Sequence, residues 1–183
     1  HVSGVMSMLK EHDSYIQTAL DIGVSIFSGE AEGRLGQVLI DAVNDKLEPI
    51  YNFLDDLPNI ENVAMPLLPS ERIRLTAGST TSFDAGRGCP FTCSFCTIIN
   101  VQGQKSRQRS IQSIENIIRD NVKQGLSSFF ISDDDFARNK NWESILDKFI
   151  ELREVHKLKI SFTIQVDTLC HNLPGFIEKS GRA

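Results

Sequence analysis

The sequence predicts an α/β protein built on parallel strands and divided into two parts. Three observations point to it. Residues 79–183 alternate short apolar strands with helices of about 14 residues, the pattern of parallel pairing through right-handed crossovers. Residues 1–53 show helix, strand, helix on a smaller scale, which suits the C-terminal part of an open α/β domain. Between them, residues 54–78 hold Pro58, Pro66 and Pro69 with little periodicity, which reads as a linker.

In the first part, Ser14 and Gln17 are spaced as a capping box, and Tyr15, Ile16, Ala19 and Leu20 follow helical spacing up to Gly23. Val24 to Phe27 is a strand candidate. Ser28-Gly29-Glu30-Ala31-Glu32-Gly33 is a loop, and Leu35, Val38, Leu39, Ala42 and Val43 form the apolar face of a second helix. In the second part, Ser79 to Ala85 is a strand leading into a loop. Ser110 caps a helix with Ile111, Ile114, Ile117, Ile118 and Val122 on one face, closed by Gly125. Ser127 to Ser132 is a strand around Phe129-Phe130-Ile131. Asn141 caps the next helix, whose face is Trp142, Ile145, Leu146, Phe149 and Ile150. Lys159 to Asp167 is a strand and Leu173 to Ser180 a short last helix.

The strand from Lys159 is the most readable. Ile160, Phe162, Ile164 and Val166 alternate with Ser161, Thr163, Gln165 and Asp167, so one face is apolar and the other polar. A polar face is unusual for a strand covered on both sides, and it suits a sheet that curves round a polar ligand. Ligands in such folds gather at the carboxyl ends of the strands. Asp133, Gln165, Asp167 and the loop after Ala85 are expected at that rim.

The bulk numbers exclude several classes. The 183 residues suffice for one or two domains with a core. The formal net charge of -5 argues against nucleic acid as a partner. No apolar run approaches the ~18 residues of a membrane span. Four cysteines, three of them clustered, do not form a disulfide framework, and a reducing cytoplasm is the expected compartment. The chain starts at His1 and ends at Gly181-Arg182-Ala183, where a further strand is expected, so it reads as a piece of a longer protein.

The cysteines carry the chemistry. Arg87-Gly88-Cys89-Pro90-Phe91-Thr92-Cys93-Ser94-Phe95-Cys96 is a C-x3-C-x2-C pattern with an aromatic before the last cysteine. Three thiolates can close round one metal centre, but structural zinc and electron-transfer clusters normally take four ligands. A cubane cluster on three cysteines leaves one iron open to bind something else. A structural zinc site completed by Cys170 or His171 is the competing reading, as is a non-catalytic iron–sulfur protein.

With Phe95 before the last cysteine, and with the loop directly after the first strand of a parallel α/β unit, the pattern resembles the radical S-adenosylmethionine (radical SAM) superfamily over residues 79–183. The resemblance implies the N-terminal part of a partial parallel β/α barrel. It also implies a 4Fe–4S cluster on Cys89, Cys93 and Cys96, with S-adenosylmethionine chelating the fourth iron and cleaved reductively to a 5′-deoxyadenosyl radical. Phe95 would pack against the adenine. Ser132, Asp133 and Asp134 stand where the family binds the methionyl ammonium, in a Ser-Asp-Asp-Asp run where many members have Gly-Gly-Glu. Gln165 and Asp167 would contact the ribose or the substrate, and Gly86 and Gly88 would let the loop approach the cluster closely.

Upstream, the Gly-Glu-Ala-Glu-Gly run between helices resembles the end of the Rossmann-like cobalamin-binding domain that precedes the barrel in one subclass. This makes cobalamin a further candidate cofactor and methylation or rearrangement the candidate outcome. The ligating Asp-x-His-x-x-Gly motif is not in the chain. The resemblance further implies a one-electron reductant such as a flavodoxin or ferredoxin, and a substrate that is a small molecule or a lipid.

The remaining residues have plainer readings. Cys170 is expected as a buried apolar residue rather than a ligand. Among Asp133, Asp134 and Asp135, one inward and two outward carboxylates are expected. Lys105, Arg107 and Arg109 read as a solvated basic loop, with contact to an anionic cofactor as the alternative. His1, His12 and His156 read as surface or packing residues, and Trp142 with Phe149 as core.

Overall fold

The computed structural model describes residues 14–183, apart from the side chains of residues 99 and 100. His1 and His12 lie outside the described residues. The chain divides into two compact units, one made of residues up to Asn59 with Phe91–Gln104, the other of Ile60–Pro90 with Lys105–Ala183.

The first unit contains helix α1 (Ser14–Asp21), strand β1 (Ile26–Ser28), helix α2 (Leu35–Val43) and strand β2 (Ile50–Asn52). β1 and β2 pair in parallel, with Ile26 opposite Ile50 and Ser28 opposite Asn52. The turn after β1 needs glycine at position 29. Gly29 has φ 111, and a Cβ there would sit 2.9 Å from the backbone of Phe53. Arg34 pairs with Asp56 at 2.6 Å and lies over the Phe53 ring, 4.7 Å from its centre. Tyr51 donates to Asp41 at 2.7 Å.

The second unit opens with helix α3 (Ser70–Ala77), inside the stretch expected as linker. Pro69 stands just before the helix, where a missing N–H costs nothing, and Ile73 is buried. The short helix has one buried position, too few for a periodic signal. Ile60, also in the expected linker, is fully buried.

Strand β3 (Thr80–Phe83) lies beside α3. Strand β4 (Gly86–Arg87) follows, and its partner β5 (Arg107–Gln108) comes after the cysteine segment and the short helix α4 (Ile98–Val101). Helix α5 (Ile111–Lys123), strand β6 (Ser128–Ile131), helix α6 (Trp142–Glu154), strand β7 (Ser161–Ile164) and helix α7 (Phe176–Arg182) complete the alternation.

β3, β6 and β7 form one parallel sheet in that order, with Phe83, Ile131 and Ile164 in register. The sheet is open, and no closed barrel is formed among the described residues. β7 is its edge. Helices α5 and α6 cover it with the residues their spacing predicts: Ile114, Ile118, Ile145, Leu146 and Phe149 are buried with Phe129 and Ile131. Phe149 stacks on Phe162 with ring centres 3.9 Å apart, and Trp142 meets Phe176 edge-on at 5.1 Å.

The caps differ in kind. The Ser110 hydroxyl accepts from the Ser113 N–H at 3.2 Å and starts α5 as expected. Asn141 occupies the cap position of α6 but its side chain makes no capping bond; Asn139 Oδ1 accepts the Asn141 N–H instead. The last helix begins at Phe176 rather than Leu173, because Asp167 first caps a 3-10 turn over Thr168–Asn172 through the Leu169 N–H. Along β7, Ser161 and Thr163 are exposed while Phe162 and Ile164 are half-buried, as the alternation predicts; the strand ends at Ile164, and beyond it Gln165 and Val166 are both exposed.

Candidate functional site

The carboxyl ends of β3 and β6 meet at a knot of polar groups. Directly after β3 the chain turns through Asp84 and Ala85 into β4, and no helix or sheet bonds are available to the turn's amides. Asp133, two residues past β6, supplies acceptors instead. Its Oδ1 takes the Ala85 N–H at 2.6 Å and the Gly86 N–H at 2.9 Å, and its Oδ2 takes the Asn139 amide at 2.9 Å. The neighbouring Asp134 accepts the Gly88 N–H at 2.8 Å. Asp133 is 3% exposed. Burial pushes its carboxyl up from the ordinary 3.8 to about 6, against the pull of its bonds to Asn139, Gly86 and Ala85.

Asp84 anchors the other side. Arg109 forks it, Nε to Oδ1 at 2.9 Å and Nη2 to Oδ2 at 3.1 Å, and Arg87 Nε adds 2.7 Å. Arg109 also donates to the carbonyls of Ile60 and Val63. At 2% exposure it is one of the most buried side chains of the unit, which corrects the expectation of a solvated loop at this residue. The reason is local. Its backbone N–H bonds the Ala85 carbonyl, which turns the side chain in beside Asp84, and four acceptor atoms replace its water.

β4 and β5 are antiparallel, Gly86 opposite Gln108 and Arg87 opposite Arg107. In sequence they flank the segment that carries the cysteines. Cys89 is half-buried, Cys93 exposed and Cys96 half-buried, and none of the four cysteines is in a disulfide. Cys93 and Cys96 share one turn, in which the Cys96 N–H donates to the Cys93 carbonyl at 3.0 Å. Gly88 has φ 93, a conformation that favours glycine immediately before Cys89. Among the described residues, no three His, Cys, Asp or Glu side chains are gathered into a closed metal site. Cys170 is buried against the core, as expected of a small apolar residue.

The other expected site residues differ in exposure and in partners. Phe95 is 88% exposed. Ser132 is exposed, with its N–H on the Phe83 carbonyl at 2.9 Å. Gln165 has an exposed side chain and its carbonyl accepts the Phe136 N–H. Asp167 is forked by Arg138 at 2.6 and 2.9 Å, which holds its carboxyl below the usual range. Asp135 is buried beside Asp167, and that burial raises its carboxyl. Of the three consecutive acids, two therefore turn inward, Asp133 and Asp135, where one was expected. Asp84, Asn139 and the bonding of Arg109 were not legible in the sequence. The available signal was a lone carboxylate at the end of a Thr- and Ser-rich strand, which does not name its partner.

The family model described as the radical SAM superfamily matches residues 84–179, more than half of the chain. The chain belongs to the radical SAM superfamily, whose members use a 4Fe–4S cluster and S-adenosylmethionine.

It is 27% identical over 135 residues to bacteriochlorophyllide d C-8(2)-methyltransferase of Chlorobaculum tepidum, covering 66% of this chain and 30% of that one. It is 37% identical over 54 residues to cytidylyl-2-hydroxyethylphosphonate methyltransferase of Streptomyces wedmorensis, covering 29% of this chain and 10% of that one. Among solved structures it is similar to the radical S-adenosylmethionine methyltransferase TsrM from Kitasatospora setae with cobalamin and [4Fe-4S] cluster bound. There the TM-score is 0.46 and the identity 18%, with 56% of this chain and 20% of that one covered. The chain spans less than a third of the length of the curated relatives it matches.

The donor chemistry fits the cluster. Three thiols outside any disulfide lie on backbone that is irregular from Gly88 to Thr97, and Cys93 is open to solvent. No described helix is long and apolar enough to cross a membrane.

Proposed function

We propose that the protein carrying this chain is a radical SAM methyltransferase associated with cobalamin, in which Cys89, Cys93 and Cys96 hold three irons of the cluster. The observation that carries this is the three-cysteine loop standing directly after the first strand of a parallel sheet, within the stretch that matches the superfamily. The methyltransferase part rests on the names of the curated relatives. When bound, the cluster and S-adenosylmethionine supply a one-electron cleavage that yields a 5′-deoxyadenosyl radical.

The chain's own residues bind and position. Phe95 offers an exposed ring to the adenine. Ser132 and Asp134, just past β6, offer polar atoms to the methionyl group, with Asp133 beneath them. Gln165 and Asp167, past the end of β7, stand for the ribose or the substrate, and Arg138 fixes the Asp167 carboxylate in one orientation. The substrate class is a small molecule or lipid, the electron donor a flavodoxin or ferredoxin, and the compartment the cytoplasm.

The test is anaerobic reconstitution of the intact protein with iron and sulfide, followed by electron paramagnetic resonance with and without S-adenosylmethionine. The expected results are a spectrum that changes on adding S-adenosylmethionine, and 5′-deoxyadenosine or S-adenosylhomocysteine on reduction. A cluster indifferent to S-adenosylmethionine, with neither product formed, points to a non-catalytic iron–sulfur protein. Zinc uptake in place of iron points to a structural site.

A further inference from the structure

We infer that Asp133, locked by Asn139, is a positioning residue for the cluster: it sets the backbone that delivers Cys89 before any metal is bound. The inference rests on the radical SAM reading of the cysteines. Its basis is the accounting of Asp133's acceptors. A carboxylate has about four lone-pair sites. Here Oδ1 is engaged by two consecutive backbone amides, Ala85 and Gly86, and Oδ2 by Asn139. That leaves a 3% exposed group little capacity for a ligand. Its bonds run to the turn that leads into the cysteine loop.

The other determinants of the turn are the Asp84 carboxylate, held by Arg109 and Arg87, and the β4–β5 pairing. Residues 84 and 85 lie between β3 and β4 in neither helix nor strand, so their conformation depends on side-chain bonds. Asp133 supplies two of them, Asp134 extends the hold to Gly88, and the Arg109 N–H takes the Ala85 carbonyl. The packing is tight enough to exclude a methyl group. A Cβ on Gly86 would lie 2.7 Å from Asn139 Nδ2 and 2.9 Å from the Arg107 carbonyl oxygen. Cys89 is three residues beyond Gly86 and one beyond Gly88. A ligand on backbone ordered in advance loses less entropy when it binds, and groups behind metal ligands typically act on affinity in this way.

Asn139 makes the arrangement specific. Its amide donates to Asp133 while its own Oδ1 accepts the Asn141 N–H, so the side chain cannot flip without losing both bonds. Asp133→Asn therefore sets one amide donor against another. Exchanging the two residues, Asp133→Asn with Asn139→Asp, restores donor against acceptor at unchanged net charge and leaves the other oxygen for the two backbone amides.

The experiment uses the intact protein, reconstituted anaerobically, with iron release to a chelator as the first readout and amide hydrogen exchange of the cluster-free protein as the second. Asp133→Ala is expected to release iron about 10- to 100-fold faster, the scale on which groups behind a ligand act. The exchanged pair is expected to return release to within a few-fold of the parent. The amides of Ala85, Gly86 and Gly88 are expected to be protected without metal, and those of Ala85 and Gly86 to lose protection in Asp133→Ala. Ile118→Ala, in the α5 core, lowers melting temperature without touching the turn and is expected to leave iron release unchanged.

Parent-like release in Asp133→Ala, equal acceleration in Ile118→Ala, no rescue by the exchange, or unprotected amides in the parent each overturn the inference. A rescued pair that keeps its iron but no longer binds S-adenosylmethionine makes Asp133 a direct cofactor ligand and overturns it too. A parent that takes up no iron overturns the cluster reading itself, an outcome distinct from all of these.

Discussion

The two units start from the same alphabet of parallel strands and amphipathic helices and end with different interiors. In the second unit, α5 and α6 bury the faces their periodicity marks, and Phe129, Phe149 and Ile118 share one continuous core. In the first unit, α2 has an equally clear apolar stripe, yet among the described residues neither α1 nor α2 has a buried side chain. Leu39 is 57% and Val43 84% exposed. Periodicity identifies a face that can be buried. Whether it is buried depends on a partner element, which the pattern of one helix does not contain. Among the described residues, the larger buried core therefore belongs to the unit with the three-stranded sheet.

The strongest test of that contrast is Phe149→Ala. The ring is fully buried and stacked on Phe162, so its removal should cost about 3–5 kcal/mol in urea unfolding. A loss below about 1 kcal/mol would mean that the α6 face is not the core of the cooperative unit. Arg109→Met comes next, at about 3 kcal/mol by the same measurement. It strips Asp84 of a forked partner and leaves the Ile60 and Val63 carbonyls without their donor, while Arg87 keeps part of the compensation. A neutral result would show that the carboxylate and carbonyls recover water, and that the segment at Ile60–Val63 is not held by this bond set.

Asp133 gives the third effect, and pH reveals it. Its carboxyl is raised from 3.8 to about 6, so between those values the folded state keeps a proton that the unfolded chain has released. Stability from this group is fully present below the unfolded value, falls as pH rises through about 6, and stays lost above it. A shift of this size corresponds to about 2–3 kcal/mol. Asp133→Asn lacks this titration. The parent's advantage over the variant should therefore shrink by about 2–3 kcal/mol as pH rises from ~4 to ~7. A constant gap across that range would show that the buried carboxyl titrates normally.

Much of this was legible in the sequence because the second unit obeys local rules. The Ser110 cap, the Ile114–Ile118 and Ile145–Phe149 faces and the alternation from Ile160 each report a structure made by neighbours in the chain. The three cysteines were legible for the same reason, since their spacing is itself the pattern. The knot around the cysteine loop was not. Asp84 and Arg109 are far in sequence from each other and from the Asp133–Asn139 pair, and the bonds that tie the turn after β3 to Asp133 depend on β3 and β6 lying side by side. The buried Arg109 shows the limit: Lys105, Arg107 and Arg109 look alike in sequence, and what sets Arg109 apart is its set of distant partners, Ala85, Asp84, Ile60 and Val63. α3 was missed for a different reason, since one buried residue and a preceding proline carry no periodic signal.

The smallest expected effect bears most directly on the contrast between the units. Leu39→Ser removes an apolar side chain from the middle of α2, a change that in α5 or α6 would cost several kcal/mol. In α2 the side chain is already more than half exposed, so little transfer energy is at stake. What remains is the poorer helix propensity of serine, about 0.5 kcal/mol or less. Urea unfolding of the parent and variant should therefore coincide within about 0.5 kcal/mol, and amide exchange in β3 and β6 should not change. A loss of about 2 kcal/mol or more would break the comparison. It would mean that the α2 stripe is covered in solution, and that the first unit owes its order to a buried face just as the second does.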